Sequence, residues 1–194
     1  IREITAAVKI PVIVGGGISS VEDIETLIHA GAGKISIGTA AVENPELVKA
    51  AASAFGQTKV IVAVDCKRTK ESAVDSRGTV WEVYTQGGRT ATGINALDWI
   101  EQLHHLGAGE ILLTSMDGDG TRDGYDNELY RTVTDKVPVS IIASGGAGRL
   151  EHFRDAFLVG QVNAVLAASV FHRRIYSVGE VKKYLKEQGI PVKP

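Results

Sequence analysis

The 194 residues carry 21 Lys and Arg against 23 Asp and Glu, a formal net charge of −2, with 44% hydrophobic and 23% charged residues. That balance exerts no general pull on nucleic acid or an anionic membrane, and the length suits one sizeable core. A single cysteine, Cys66, excludes an internal disulfide and a cysteine-built metal centre, and no apolar run reaches the roughly eighteen residues that span a bilayer. The opening IREITAAVKI lacks the basic, apolar and small-residue order of a signal peptide, so the chain reads as cytoplasmic.

In chain order, Ile1, Ile4 and Val8 stand at helical spacing, with nothing ahead of them to act as a cap. Pro11 to Val14 reads as a strand that ends at Gly15-Gly16-Gly17. Ser19 or Ser20 caps a helix whose buried stripe is Val21, Ile24, Leu27 and Ile28, and Gly31 ends it. Lys34 to Ile37 is the next strand and Gly38-Thr39-Ala40 its loop. Pro45 opens a helix to about Ala54. Val60 to Val64 is the third strand, ending at Asp65. WEVYTQGGRTATG then predicts a β-hairpin that turns near Gly87-Gly88, an insertion over about residues 67–92. Asn95 caps a helix through Leu97, Trp99, Ile100 and Leu103.

The fourth parallel strand is the apolar run Ile111-Leu112-Leu113, broken at Thr114 by a loop with Asp117, Asp119 and Asp123. A helix through Leu129 and Val133 follows. Val139 to Ala143 is the fifth strand with the loop Ser144-Gly145-Gly146, then a helix from about Arg149 to Val159. Ala164 to Leu166 is the sixth, followed by Ser169 and a last helix from about Val178 to Gln188. Six strand–loop–helix units imply an α/β fold with a parallel sheet and right-handed crossovers. Such units build either an open doubly wound sheet or three quarters of a barrel.

An internal repeat favours the barrel. An offset of 129 sets Gly16 and Gly17 on Gly145 and Gly146, Glu22 on Glu151, Gly31 on Gly160, and Thr39 and Ala40 on Ala168 and Ser169. A Gly-Gly pair between a strand and a helix N-terminus suits phosphate, because the backbone approaches the anion and free N–H groups face it. One copy is a weak signal and usually marks a tight turn. Two copies related by a repeat predict a ligand with a phosphate at each end. In a (βα)8 barrel the usual phosphate site belongs to strands seven and eight. Numbered that way, residues 1–194 are a single incomplete TIM-barrel domain that lacks about its first two βα units.

The motifs VGGGI, SIGTAAVENP, VAVDCKR, ILLTSMDGDGTRDGYD, IASGGAG and LAASVFH stand in this order over essentially the whole chain. In this the sequence resembles the cyclase subunits of imidazole glycerol phosphate synthase, of histidine biosynthesis. The resemblance implies a lyase that joins ammonia to a bisphosphorylated ribulosyl aminoimidazole carboxamide nucleotide. The products are imidazole glycerol phosphate and aminoimidazole carboxamide ribotide, with no cofactor and no metal. It implies Asp65 as a catalytic aspartate, a second catalytic aspartate on a strand ahead of Ile1, and Thr114 and Asp119 as substrate-lining residues. Gly16, Gly17 and Thr39 match one phosphate site; Gly145, Gly146, Ala168 and Ser169 match the other. Lys34 and Glu110 match residues that gate ammonia at the amino-terminal face of the barrel, where a glutaminase partner docks to form a heterodimer. The family commonly has Asn at the place of Gly38 and often an acid at the place of Gly33.

On position alone Asp65 is as well explained as a loop cap. Two other readings stand beside the cyclase. One is a catalytically incompetent barrel fragment that binds phosphate ligands or self-assembles through open strand edges. The other is the sister phosphoribosyl isomerase of the same pathway, against which the SMDGDGTRDGYD loop and the Lys34/Glu110 pair argue. The five histidines lack metal-ligand spacing, Cys66 has no activating neighbour in sequence, and Trp81 and Tyr84 read as hairpin packing. Lys182, Lys183 and Lys186 read as a solvated helix face.

Overall fold

The computed structural model describes residues 1–69 and 80–193. Part of the 67–92 insertion, residues 70–79, therefore lies outside the described residues. The elements run α1 (Arg2–Ala7), β1 (Ile13–Gly15), α2 (Val21–His29), β2 (Lys34–Ile37), α3 (Thr39–Glu43), α4 (Glu46–Phe55) and β3 (Val60–Arg68). They continue with β4 (Trp81–Thr85), β5 (Thr90–Asn95), α5 (Ala96–His105), β6 (Glu110–Ser115), α6 (Asn127–Thr134), β7 (Ser140–Ser144), α7 (Leu150–Leu158), β8 (Ala164–Leu166), α8 (Ser169–His172) and α9 (Val178–Glu187).

Six strands pair in the order β1-β2-β3-β6-β7-β8, every neighbour parallel. The sheet curls into a partial (βα)8 barrel of six parallel strands. Its helices start where side chains can satisfy their free amides. Ser20 accepts from the Asp23 amide and the Asp23 carboxylate accepts in return from Ser20, a capping box on α2. Asn95 caps α5, Asp126 caps α6 and Ser177 caps α9.

The two faces of the sheet differ. Toward the helices, Ile35, Ile37, Val60, Val62, Val64, Ile111, Leu113, Ile141 and Ala143 are all buried, and they form the core. The concave face carries half-exposed side chains in rows set by the register. Ala63 stands beside Leu112 and Ile142; one step toward the carboxyl end, Asp65 stands beside Thr114, Ser144 and Leu166. This row is the floor on which the chemistry rests.

Three local features depart from the sequence reading. β3 does not stop at Asp65 but continues to Arg68, because β4 pairs antiparallel with its last four residues. Thr39–Glu43 and Ser169–His172 are short helices rather than loops. Each follows a strand at the same place in the 129-residue repeat, so both halves share the plan strand, Gly-Gly, helix, strand, short helix.

Candidate active site

Both Gly-Gly pairs sit at the carboxyl ends of their strands, on one end of the sheet. Gly16 and Gly17 follow β1 with φ +91° and +70°; Gly145 and Gly146 follow β7 with φ +96° and +104°. These are backbone conformations that side chains with a Cβ rarely adopt, so glycine is the residue that fits. Around the first pair a cavity of about 430 Å³ is lined by Gly16, Gly17, Ser36, Gly38, Thr39 and Asp65, with Tyr84, Thr85 and Gly87 of the hairpin on its rim. Around the second, a cavity of about 120 Å³ is lined by Asp119, Arg122, Ser144, Gly145, Gly146, Ala168 and Ser169. The geometry thus brings Gly16, Gly17, Thr39 and Asp65 together, and separately Gly145, Gly146, Ala168, Ser169 and Asp119.

Asp65 is the carboxylate of the first cavity. Burial raises its pKa above the usual carboxylate range, the Thr114 hydroxyl beside it pulls the other way, and the negative charge of Asp119 raises it further. Thr114 is its neighbour in register on β6, and Tyr84 is its antiparallel partner on β4. A half-buried carboxyl with a raised pKa, lining a cavity, can both take and return a proton. Cys66, one residue on, points into the core; burial pushes its thiol pKa far up, and it is no nucleophile.

The loop between β6 and α6 is held by an array that sequence reasoning missed. Asp126 accepts from Ser115 Oγ at 3.1 Å and Trp81 Nε1 at 3.3 Å, faces the Arg68 guanidinium at 3.5 Å, and caps Leu129. Arg68 also stacks 5.0 Å over the Trp81 ring, while its amide donates to Asp117 at 2.7 Å. Tyr84, read as packing, instead lines the first cavity. Its signal was the strand alternation, which buries Trp81, Val83 and Thr85 and turns Tyr84 to the face of Asp65. Arg122, in the second cavity, is the sole cation of the 116–126 loop, and that was visible in the sequence.

Lys34 and Glu110 lie at the opposite end of the strands, where Lys34 Nζ meets Glu110 Oε1 at 2.8 Å. Gly33 beside them is crowded: a Cβ there would stand 3.1 Å from Pro11 Cβ. Among the described residues no cluster of His, Cys, Asp and Glu could hold a metal ion, and no helix is long and apolar enough to cross a membrane.

The family described as "Histidine biosynthesis protein" matches residues 1–177. Imidazole glycerol phosphate synthase subunit HisF of Pyrobaculum aerophilum is 52% identical over 193 residues, which cover 100% of this chain and 73% of that protein. With a parallel βα sheet, a family match over most of its length and a relative of this identity, the chain belongs to the histidine biosynthesis protein family.

Proposed function

We propose that this chain performs the cyclase reaction of imidazole glycerol phosphate synthase, with the two glycine cradles gripping the two phosphates of one substrate. The chain is a lyase of histidine biosynthesis. Ammonia and the bisphosphorylated ribulosyl aminoimidazole carboxamide nucleotide give imidazole glycerol phosphate, aminoimidazole carboxamide ribotide and water, the ketone oxygen of the ribulosyl group leaving as that water. The observation that carries the reading is geometric: both glycine pairs follow strands of one parallel sheet at the same end, and Asp65 stands on β3 between those strands, lining the first cavity.

In this reading Gly16, Gly17 and Thr39 hold one phosphate by backbone amides and a hydroxyl, and Gly145, Gly146, Ala168 and Ser169 hold the other. The reacting carbons then lie over the row Asp65–Thr114. Asp65 is one of the two acid/base groups of the ring closure, taking a proton as the imidazole ring forms, and Thr114 and Asp119 set its proton affinity. Ammonia arrives from the amino-terminal end past the Lys34–Glu110 pair, and a glutaminase subunit docked on that face supplies it. The relative's own name makes it a subunit of a synthase.

The test is conversion of the ribulosyl nucleotide with an ammonium salt. Equal amounts of the two products, formed only when ammonia is present, are expected. Isomerisation of the precursor one step earlier, without ammonia, would assign the chain to the sister isomerase instead.

A further inference from the structure

The first cavity has a wall that the phosphate reading does not explain. The tip of the β4–β5 hairpin crosses 47 positions of sequence to reach Thr39, and the Gln86 amide donates to Thr39 Oγ1 at 2.9 Å. Gln86 takes φ +54° to do so, in the left-handed region that a residue with a Cβ occupies at a cost. The next residue, Gly87, lines the cavity together with Tyr84 and Thr85. Behind the tip, a Cβ on Gly88 would stand 2.7 Å from Met116 Cε, so the turn is pressed against the β6–α6 loop. At its base the hairpin is tied to that same loop through Trp81 and Asp126.

A threonine hydroxyl has one hydrogen and two lone pairs. With the Gln86 amide occupying an acceptor position, the hydrogen is directed elsewhere, and among the described residues it has no protein acceptor. The cavity is the open space beside it. We infer that the β4–β5 hairpin is a specificity element of the first anion site, in which the Gln86 backbone amide positions the Thr39 hydroxyl to donate to a phosphate monoester. Tyr84, Thr85 and Gly87 bound the space that ester occupies. Gln86 is a positioning residue acting through Thr39, and its side chain, which is exposed, has no part in it. The inference rests on the reading of this cavity as a phosphate site, and its test separates the two.

The probe is inorganic phosphate, titrated into the whole chain labelled with 15N. The Gly17 amide reports the first cavity and the Gly146 amide the second. Thr39→Val removes the hydroxyl, and an amide-to-ester replacement at Gln86 removes the one N–H. Each is expected to weaken phosphate roughly ten-fold at Gly17 and leave the Gly146 titration unchanged, the size of one lost charge-assisted hydrogen bond. Combining them is expected to weaken it no further, since both act through one hydroxyl. Thr39→Ser, which keeps the hydroxyl under the same amide, is expected to hold affinity within about two-fold of the parent for the same reason.

If Thr39→Val leaves the Gly17 titration unchanged, the phosphate role of Thr39 is wrong. If Thr39→Val weakens phosphate while the ester does not, or if the two effects multiply in the combined variant, the hairpin inference is overturned. Loss at Thr39→Ser as large as at Thr39→Val overturns it too, and that outcome does not depend on the ester variant folding.

Discussion

At Gly146 the space a Cβ would need is taken by the Gly124 carbonyl, and at Gly145 it is taken by the Ser115 carbonyl at 2.6 Å; at Gly16 and Gly17 nothing stands within 4 Å. The same pair of glycines, placed by the same repeat after equivalent strands, does two different jobs. The second cradle is braced from inside the protein. The Tyr130 hydroxyl, wholly buried, donates to the Ser144 carbonyl at 2.7 Å and accepts from the Ser144 amide at 3.2 Å, while Tyr125 reaches the Leu166 carbonyl at 3.0 Å. Gly124 and Gly146 are joined by a backbone bond of 2.9 Å. His152 Nδ1 accepts from the amides of Gly148 and Arg149, its ring is buried, and burial is the first cause of its lowered pKa. The first cradle has bare glycines, a hydroxyl and a hairpin tip. A rigid grip at one end and a wide cavity at the other suit a ligand whose reacting part sits nearer the first.

The largest effect falls on that asymmetry directly. Asp65 lines the first cavity alone, so Asp65→Asn should remove turnover and leave both phosphate grips intact. General acid/base catalysis contributes about 10²–10⁴ in rate, and a loss of that order in kcat with little change in KM is expected in the ammonia-dependent assay. A variant that keeps its full rate would leave the first cavity with no chemistry of its own.

Next come the glycines. Gly146→Ala drives a Cβ into the Gly124 carbonyl and strains φ, which should cost about 3 kcal/mol and lower the urea midpoint accordingly. Gly17→Ala meets no protein atom, so it should cost only the φ strain, about 1–2 kcal/mol. Gly17 lines the first cavity, so a methyl group there should crowd the phosphate and displace it from the amides, and KM for the bisphosphate should rise about ten-fold or more. Equal destabilisation by the two variants would show that the cradles are braced alike.

How much of this could be read in advance divides along the range of the forces involved. Both Gly-Gly pairs, the capping residues Ser20 and Asn95 and the six strands are local matters. Turn chemistry, alternation and caps write themselves over a few residues, and the repeat joins the two halves without any knowledge of contacts. The braces were not legible. Gln86 to Thr39 spans 47 positions and Trp81 to Asp126 spans 45. Nothing in a hydrophobic period says which loop a hairpin will lean on. β3 was read as ending at Asp65 for the same reason: its last residues are held by β4, a strand that arrives later in the chain. The difference between the cradles lies almost wholly in such distant contacts, which is why their matching sequences did not reveal it.

A smaller effect tests whether the Asp119 charge acts on Asp65. Burial and then the Asp119 charge hold the Asp65 pKa up, and a base must be ionised to act. Rate therefore falls as pH falls through that raised value. Asp119→Asn removes the repelling charge, so the Asp65 pKa drops and the acid limb of the kcat/KM profile moves to lower pH. Thr114→Val removes the hydroxyl that favours the ionised form and should move the same limb upward. Limbs that stay put in both variants would mean that Asp119, and with it the second cavity, does not act on Asp65.

The smallest effect is a gain. Gly38 stands between β2 and Thr39 on the wall of the first cavity, at φ −109°, with only Ala63 Cβ near its absent side chain, at 3.9 Å. No close neighbour fills the space of a side chain there, in contrast with Gly146. Asn carries an amide that donates two hydrogens and fits the open space. Gly38→Asn should thus tighten phosphate at the first cradle several-fold, about 1 kcal/mol for one added hydrogen bond to an anion, and leave the second as it was. The measurement is the phosphate titration followed at the Gly17 and Gly146 amides. A gain confined to Gly17 would show that the looser grip of the first cradle comes from missing donors rather than from its backbone. No gain would place the cause in the open walls, where rigidity from the Tyr125 and Tyr130 braces is what the second cradle has and the first lacks.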